Sequence, residues 1–208
     1  MKTTAFLIGL IVFATVIVSS AAAQDVLFED DMDEWKDPWM NPENVDPAYG
    51  EIAYEGGALQ LMDYTDENFT YTILNKEFSD FILAVEIELV EGNADNWYHI
   101  FTRVQEQGFY VFSISADGWY QIRKIESGEV ESLVEPTESE YIVQGRDATN
   151  TVRIESIGDE MTLFVNDWRL ETVQDSSFST GKIALGTESL SGSFTTTAFD
   201  NLVIVEPA

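Results

Sequence analysis

Hydrophobic and polar positions alternate most plainly between Asp80 and Ile125. In DFILAVEIELV, Phe81, Leu83, Val85, Ile87 and Leu89 take every second place, with Ile82, Ala84, Glu86, Glu88 and Val90 between them. A period of two over such a run describes a strand with one face in an apolar interior. Gly92, Asn93, Asp95 and Asn96 supply a turn, and WYHIFTRV (Trp97–Val104) returns. Gln105–Gly108 turns again before FYVFSIS (Phe109–Ser115), and Asp117-Gly118 is a hairpin signal ahead of WYQIRKI (Trp119–Ile125).

The remainder follows the same grammar in shorter pieces. Val26–Asp31 reads as a first strand, then a Pro-, Asp- and Asn-rich loop carries Trp35 and Trp39 as either buried plugs or exposed stacking platforms. Glu51–Glu55 and Ala58–Asp63 flank Gly56-Gly57 as a hairpin, and Phe69–Leu74 is a further strand. A weak strand near Val130–Val134 leads into a polar connector, Glu135–Ala148. Asn150–Ile157, Met161–Asn166, Trp168–Val173, Lys182–Thr187 and Phe194–Val205 complete the set, with Ser191–Ser193 as the last turn. Nothing has a sustained helical period. About a dozen short strands with turn signals at this spacing predict an all-β sandwich or jelly roll in one domain, residues 24–208.

The first 23 residues stand apart. Met1-Lys2, the uncharged apolar run Ala5–Val18 and the small residues Ser19–Ala23 have the layout of a secretory signal peptide cleaved after Ala23. The run is short for a bilayer span of ~20 residues, so export and release into the extracellular space are expected, with no membrane association afterwards. The chain has 38 acidic against 10 basic residues and a net charge of −28. That surface repels phosphate backbones and disfavours nucleic acid and anionic lipid as partners. Cysteine is absent, which excludes disulfides, thiol catalysis and thiolate metal sites.

Strand by strand, FEDDMDEW, GGALQL, FSDFILAVEIEL, YHIFTR, GFYVFSISADGWYQIRK, TLFVNDWRLETVQDSSFSTGKIALGT and AFDNLVIV occur in one order from Leu27 to Val205. In this the chain resembles the concanavalin A-like lectin/glucanase superfamily, and within it secreted laminin-G-like and 3-keto-disaccharide-hydrolase-like domains. The resemblance implies a jelly-roll β-sandwich of two antiparallel sheets, with ligands met on the concave sheet or at a loop rim. It also implies two chemistries. Glycanases of this fold carry Glu-x-Asp-x-x-Glu on one strand, and the nearest counterpart here is Glu86-Ile87-Glu88 with Glu91, whose middle acid is Glu. Related sandwiches tie the first strand to the last with structural calcium, for which Glu29, Asp31 and Asp200 would supply oxygen ligands. In both cases a solvated acidic face is the plainer reading of the same residues.

Sugar recognition has its own signature, rings that stack on pyranose faces and polar side chains that bond hydroxyls. By alternation Trp97, His99, Phe101 and Arg103 share one face of their strand, and Tyr110, Trp119, Tyr120 and Arg123 on adjoining strands extend it. Packing in the sandwich core is the competing reading for each. His99 is the only histidine and no Gly-x-Ser-x-Gly elbow exists, so serine-hydrolase chemistry is set aside. Asp63–Asn68 is a second acidic loop, and Asn68-Phe69-Thr70 is a glycosylation sequon. The expectation is a secreted, non-catalytic module that binds extracellular glycan or oligosaccharide, with structural calcium. A glycoside hydrolase, of 3-keto-disaccharide or glucanase type, and a structural or adhesion domain are the alternatives.

Overall fold

A computed structural model describes residues 24–65, 69–190 and 194–208. The expected signal peptide, the end of the Asp63–Asn68 loop with its sequon asparagine, and the Ser191–Ser193 turn lie outside the described residues. Fourteen strands follow one another as β1 (Val26–Asp30), β2 (Gly50–Glu55), β3 (Ala58–Asp63), β4 (Thr70–Phe78), β5 (Phe81–Glu91), β6 (Trp97–Gln105) and β7 (Gly108–Ser115). The series continues as β8 (Trp119–Glu126), β9 (Glu129–Glu138), β10 (Asn150–Ile157), β11 (Glu160–Val165), β12 (Trp168–Gln174), β13 (Gly181–Glu188) and β14 (Thr195–Val205). They form two antiparallel sheets in a jelly-roll sandwich. The back sheet has eight strands ordered β12-β11-β10-β5-β14-β3-β2, with β1 also beside β14; the front sheet has six, ordered β4-β13-β6-β7-β8-β9.

The alternation of β5 is what joins the layers. Phe81, Leu83, Val85, Ile87 and Leu89 are all buried, against Tyr98, Ile100, Phe112, Ile114 and Leu185 of the front sheet, in one continuous core. Each such side chain contributes roughly 1.5–3 kcal/mol through removal from water. The chain closes on itself because β14 pairs β5 along most of its length while its other edge serves β3 first and then β1. The switch falls at a bulge after Asp200, where Asn201 takes φ 53°.

Two stretches depart from the sequence reading. The polar connector expected from Glu135 begins as strand, since β9 runs on to Glu138 against β8. It is an edge strand whose register slips between Val134 and Thr137, and Pro136, which cannot donate to a ladder, falls in that slip. The loop after β1 is less irregular than its prolines suggest. Met40 N bonds Ile73 O at 2.8 Å and Asn75 N bonds Pro38 O at 2.9 Å, so the loop covers the β4 edge of the front sheet. Trp39 is thereby a buried plug, its Nε1 donating to Asp30 Oδ2 at 2.8 Å, and Trp35 remains exposed.

Candidate functional site

The side chains of the front sheet that point away from the core mark the site. Cross-strand pairing sets Phe101 beside Ala184, His99 beside Gly186 and Trp97 beside Glu188. On the other edge of β6, His99 pairs with Ser113 and Phe101 with Val111, and these in turn meet Gln121 and Arg123 of β8. Among the described residues no further layer of strands covers this face, yet Val111 is only 2% exposed and Ala184 3%, and His99 and Ser113 are equally enclosed. The outward Phe101, Phe109, Val104 and Ile73 side chains pack over these smaller residues, and the surface between the flanking rings is the trough. The small residues of β13 make room for it: a Cβ on Gly186 would stand 2.7 Å from Phe101 Cε2.

The trough has a polar end and an apolar end. At the polar end His99 Nδ1 lies 2.8 Å from Ser113 Oγ, and Nε2 lies 3.1 Å from Glu188 Oε2. An ionised carboxylate only accepts, so Nε2 carries the hydrogen, Nδ1 is the bare nitrogen, and the Ser113 hydroxyl donates to it. Burial pushes the His99 ring below its ordinary pKa, against the pull of Glu188, and keeps it neutral. The hydrogen bond from His99 lowers the Glu188 carboxyl and holds it ionised. Arg123 Nη2 stands 4.0 Å from the same carboxylate, and both side chains remain 29% exposed to the trough. Arg123 Nε is buried and has no hydrogen-bond partner among the described residues. A fixed carboxylate and a part-exposed guanidinium, side by side, can grip vicinal hydroxyls from both sides.

At the apolar end Phe69, Tyr71, Ile73, Phe101 and Phe109 enclose a slot of about 180 Å³. Phe69 stacks on Phe101 with centroids 5.5 Å apart, and His99 meets Phe101 at 5.6 Å, so the two ends share one wall of rings.

Of the residues expected to bind ligand, the structure places Trp97, His99, Trp119 and Arg123 on the trough side and takes three others away from it. Arg103 was expected to share the His99 face. It adopts φ 51° inside a β6 bulge, which turns it to the interior, where Nη1 donates to Phe178 O at 2.8 Å. Val104 takes the outward place instead and lines the apolar slot. Tyr110 lies opposite Lys124 and points inward, its hydroxyl donating to Asp175 Oδ1 at 2.6 Å. Burial and that carboxylate push the phenol up to about 12. Tyr120 belongs to the core as well. These three corrections have two causes: even-numbered positions of β7 and β8 face inward, and the β6 bulge inverts Arg103.

The acidic candidates lie elsewhere. Glu86 and Glu88 are on the outer side of the back sheet, where they accept from Asn201 Nδ2 at 3.1 Å and from Thr149 Oγ1 at 2.8 Å. Around Asp31, the Lys36 ammonium sits 2.8 Å from Asp30 and 3.0 Å from Asp31, the place a cation would take. Asp200 caps Asn201 N, and burial raises its carboxyl, with Glu86, Asp33 and Asp31 adding repulsion. Among the described residues no three acidic or histidine side chains are grouped to hold a metal, and Glu29, Asp31 and Asp200 do not form a cage of that kind. The sequence reading missed Glu188, Ser113, Gln121, Phe69 and Tyr71. The one signal was KIALGTE, where Ala184, Gly186 and Glu188 alternate as small, small and acidic.

Comparison with known proteins agrees with this architecture. A family model described as 3-keto-alpha-glucoside-1,2-lyase-like domain matches residues 24–205. Among solved structures, the carbohydrate-binding module CBM66 from Bacillus subtilis is similar at a TM-score of 0.65 and 17% identity, covering 81% of this chain and 95% of that one. The Bacillus licheniformis beta-glucanase is similar at a TM-score of 0.66 and 11% identity, over 89% of this chain and 100% of that one. A Bacteroides ovatus mixed-linkage glucan GH16 enzyme, solved with a G4G4G3G product, is similar at a TM-score of 0.65 and 12% identity, over 86% of this chain and 100% of that one. At these identities the likeness is one of fold. No curated protein matches the sequence.

Proposed function

The chain belongs to the family of 3-keto-alpha-glucoside-1,2-lyase-like domains, and from that premise we propose that it is a secreted carbohydrate-binding domain whose ligand lies in the front-sheet trough. The observation that carries this reading is the Glu188–Arg123 pair, part-exposed on the outward face of the front sheet beside the rings that run from His99 through Phe101 to Phe69. His99 is a positioning residue, almost wholly enclosed, which fixes the Glu188 carboxylate through one nitrogen and is itself fixed by Ser113 through the other. The carboxylate accepts from sugar hydroxyls, the guanidinium donates to them, and Trp97 and Trp119 flank the polar end. Secretion is supported by the apolar run and small-residue segment of the first 23 residues.

Calorimetric titration with neutral mono- and oligosaccharides tests the reading. Arg123→Ala is expected to weaken binding about tenfold or more, since hydrogen bonds to a charged group are worth roughly 1.5–3 kcal/mol. Glu86→Gln, on the other sheet, leaves it unchanged. Equal binding by wild type and Arg123→Ala would overturn it.

The same pair favours a second reading, elimination. In a 3-keto-α-glucoside the carbonyl acidifies the C2 hydrogen. Glu188 would take that proton, the C1–oxygen bond would break, and the departing alkoxide would be protonated from water, leaving a C1–C2 double bond conjugated with the ketone. Arg123 would stabilise the enolate. Ultraviolet absorbance of the enone, formed by wild type and lost in Glu188→Gln while binding persists, would establish this over the non-catalytic reading.

A further inference from the structure

The sandwich has a second feature suited to a ligand, at the open edge where β9 of the front sheet faces β12 of the back sheet. Tyr141 and Trp168 stack there with centroids 4.7 Å apart and planes within 13°. Both are exposed, Tyr141 by 37% and Trp168 by 56%. Beside them runs a groove of about 570 Å³ lined by Tyr141, Glu138, Glu140, Gln144 and Arg169. Among the described residues none of those four polar side chains is engaged in a side-chain hydrogen bond or ion pair, so their donors and acceptors are free.

The rings are held in place rather than loosely apposed. Asn166 Nδ2 donates to Tyr141 O at 2.9 Å and to Asn150 Oδ1 at 2.8 Å, and Asn150 closes on Val143 through N at 2.8 Å and O at 2.9 Å. This network bolts the loop after β9 to the β11–β12 turn. That turn has two successive left-handed residues, Asn166 (φ 51°) and Asp167 (φ 66°), which deliver Trp168 at its exit. Exposed aromatic surface fixed at low entropic cost beside unpaired polar groups is what a pyranose ring recognises.

We propose that this groove is a second carbohydrate subsite, separate from the trough, that takes a neutral oligosaccharide. Two carboxylates, Glu138 and Glu140, against one guanidinium exclude uronic or sulfated chains. One sugar ring lies against the Tyr141–Trp168 pair, with hydroxyls bonded by Arg169, Gln144 and Glu138. A domain with two such sites grips one polymer at two points or two chains at once, and avidity follows.

The five tryptophans let one experiment read each site separately. Wild type, Arg123→Ala, Arg169→Ala and Tyr141→Ala are titrated with cellotetraose, laminaritetraose and maltotetraose while the indole N–H resonances are followed. Trp168 reports the groove and Trp97 the trough, while Trp119, whose cross-strand partner is Glu138, borders both and is not used to separate them. The Trp168 resonance is expected to move saturably with at least one of these probes in wild type and in Arg123→Ala. In Arg169→Ala and Tyr141→Ala its apparent Kd should rise about tenfold, with Trp97 unaffected. The proposal is overturned if Trp168 stays still with all three probes. It is also overturned if Arg123→Ala abolishes the movement, or if Arg169→Ala leaves the Kd unchanged. Movement of Trp97 alone would overturn this subsite and leave the trough reading intact.

Discussion

His99 gives the trough a measurable signature in the stability of the whole protein. Its ring is enclosed and held neutral below its ordinary value of 6.5, while in the unfolded chain it protonates freely. The group binds more protons unfolded than folded, so its contribution is fully present above about pH 6.5 and is lost as pH falls below that value. The loss stops only when the depressed folded value is reached. Its slope cannot exceed about 1.4 kcal/mol per pH unit, and between pH 6.5 and about 5.5 the linkage integrates to at most about 1 kcal/mol. Most carboxylates remain ionised across that window, and His99→Gln retains an amide facing Glu188 but cannot titrate. Urea unfolding of both proteins at a series of pH values isolates the term as a difference. Wild type should lose more stability than His99→Gln over the window, by up to about 1 kcal/mol. Parallel pH dependences would mean that the ring is solvated or charged in the folded state, and the argument that it fixes an ionised Glu188 would fail. The same ring is the protein's only histidine, so its NMR titration is unambiguous and should give a midpoint below 6.5.

Three further outcomes follow from the packing. Gly186→Ala places a Cβ 2.7 Å from Phe101 Cε2 and 3.2 Å from Thr70 O; the overpacking should cost about 1–3 kcal/mol in chemical denaturation, and unchanged stability would show that the trough wall yields. Tyr110→Phe removes the donor to Asp175 and the acceptor of Phe178 N at 3.2 Å. It should cost about 2–4 kcal/mol without affecting sugar binding, whereas lost binding at native stability would return Tyr110 to the site. Calcium added to chelated protein should leave the melting temperature unchanged, because Lys36 bridges Asp30 and Asp31. A rise that disappears in Asp200→Ala would instead establish the ion.

The fold was legible because its signal is local. The five apolar positions of β5 alternate in the sequence and are all interior in the structure. The trough was only half legible, because its two halves come from distant parts of the chain. His99 and Arg123 are visible on a predicted hairpin, but Glu188 lies 89 residues from His99 and meets it only through the β6–β13 pairing. Arg103 shows the other way pattern reasoning fails. A single left-handed residue reverses the alternation, and nothing at position 103 announces it, since arginine has no preference for that conformation. The trace of the bulge is on the neighbouring strand, where a Cβ on Gly181 would stand 2.3 Å from the Arg103 carbonyl carbon. Without knowledge of the pairing, that glycine reads as an ordinary turn residue.

The most direct test is a crystal structure of the protein soaked with whichever oligosaccharide binds in calorimetry. The account places a sugar ring in the front-sheet trough, with hydroxyls within hydrogen-bonding distance of Glu188 and Arg123. A sugar seated instead on the outer side of the back sheet, over Glu86 and Glu88, with the trough holding only water, would contradict it.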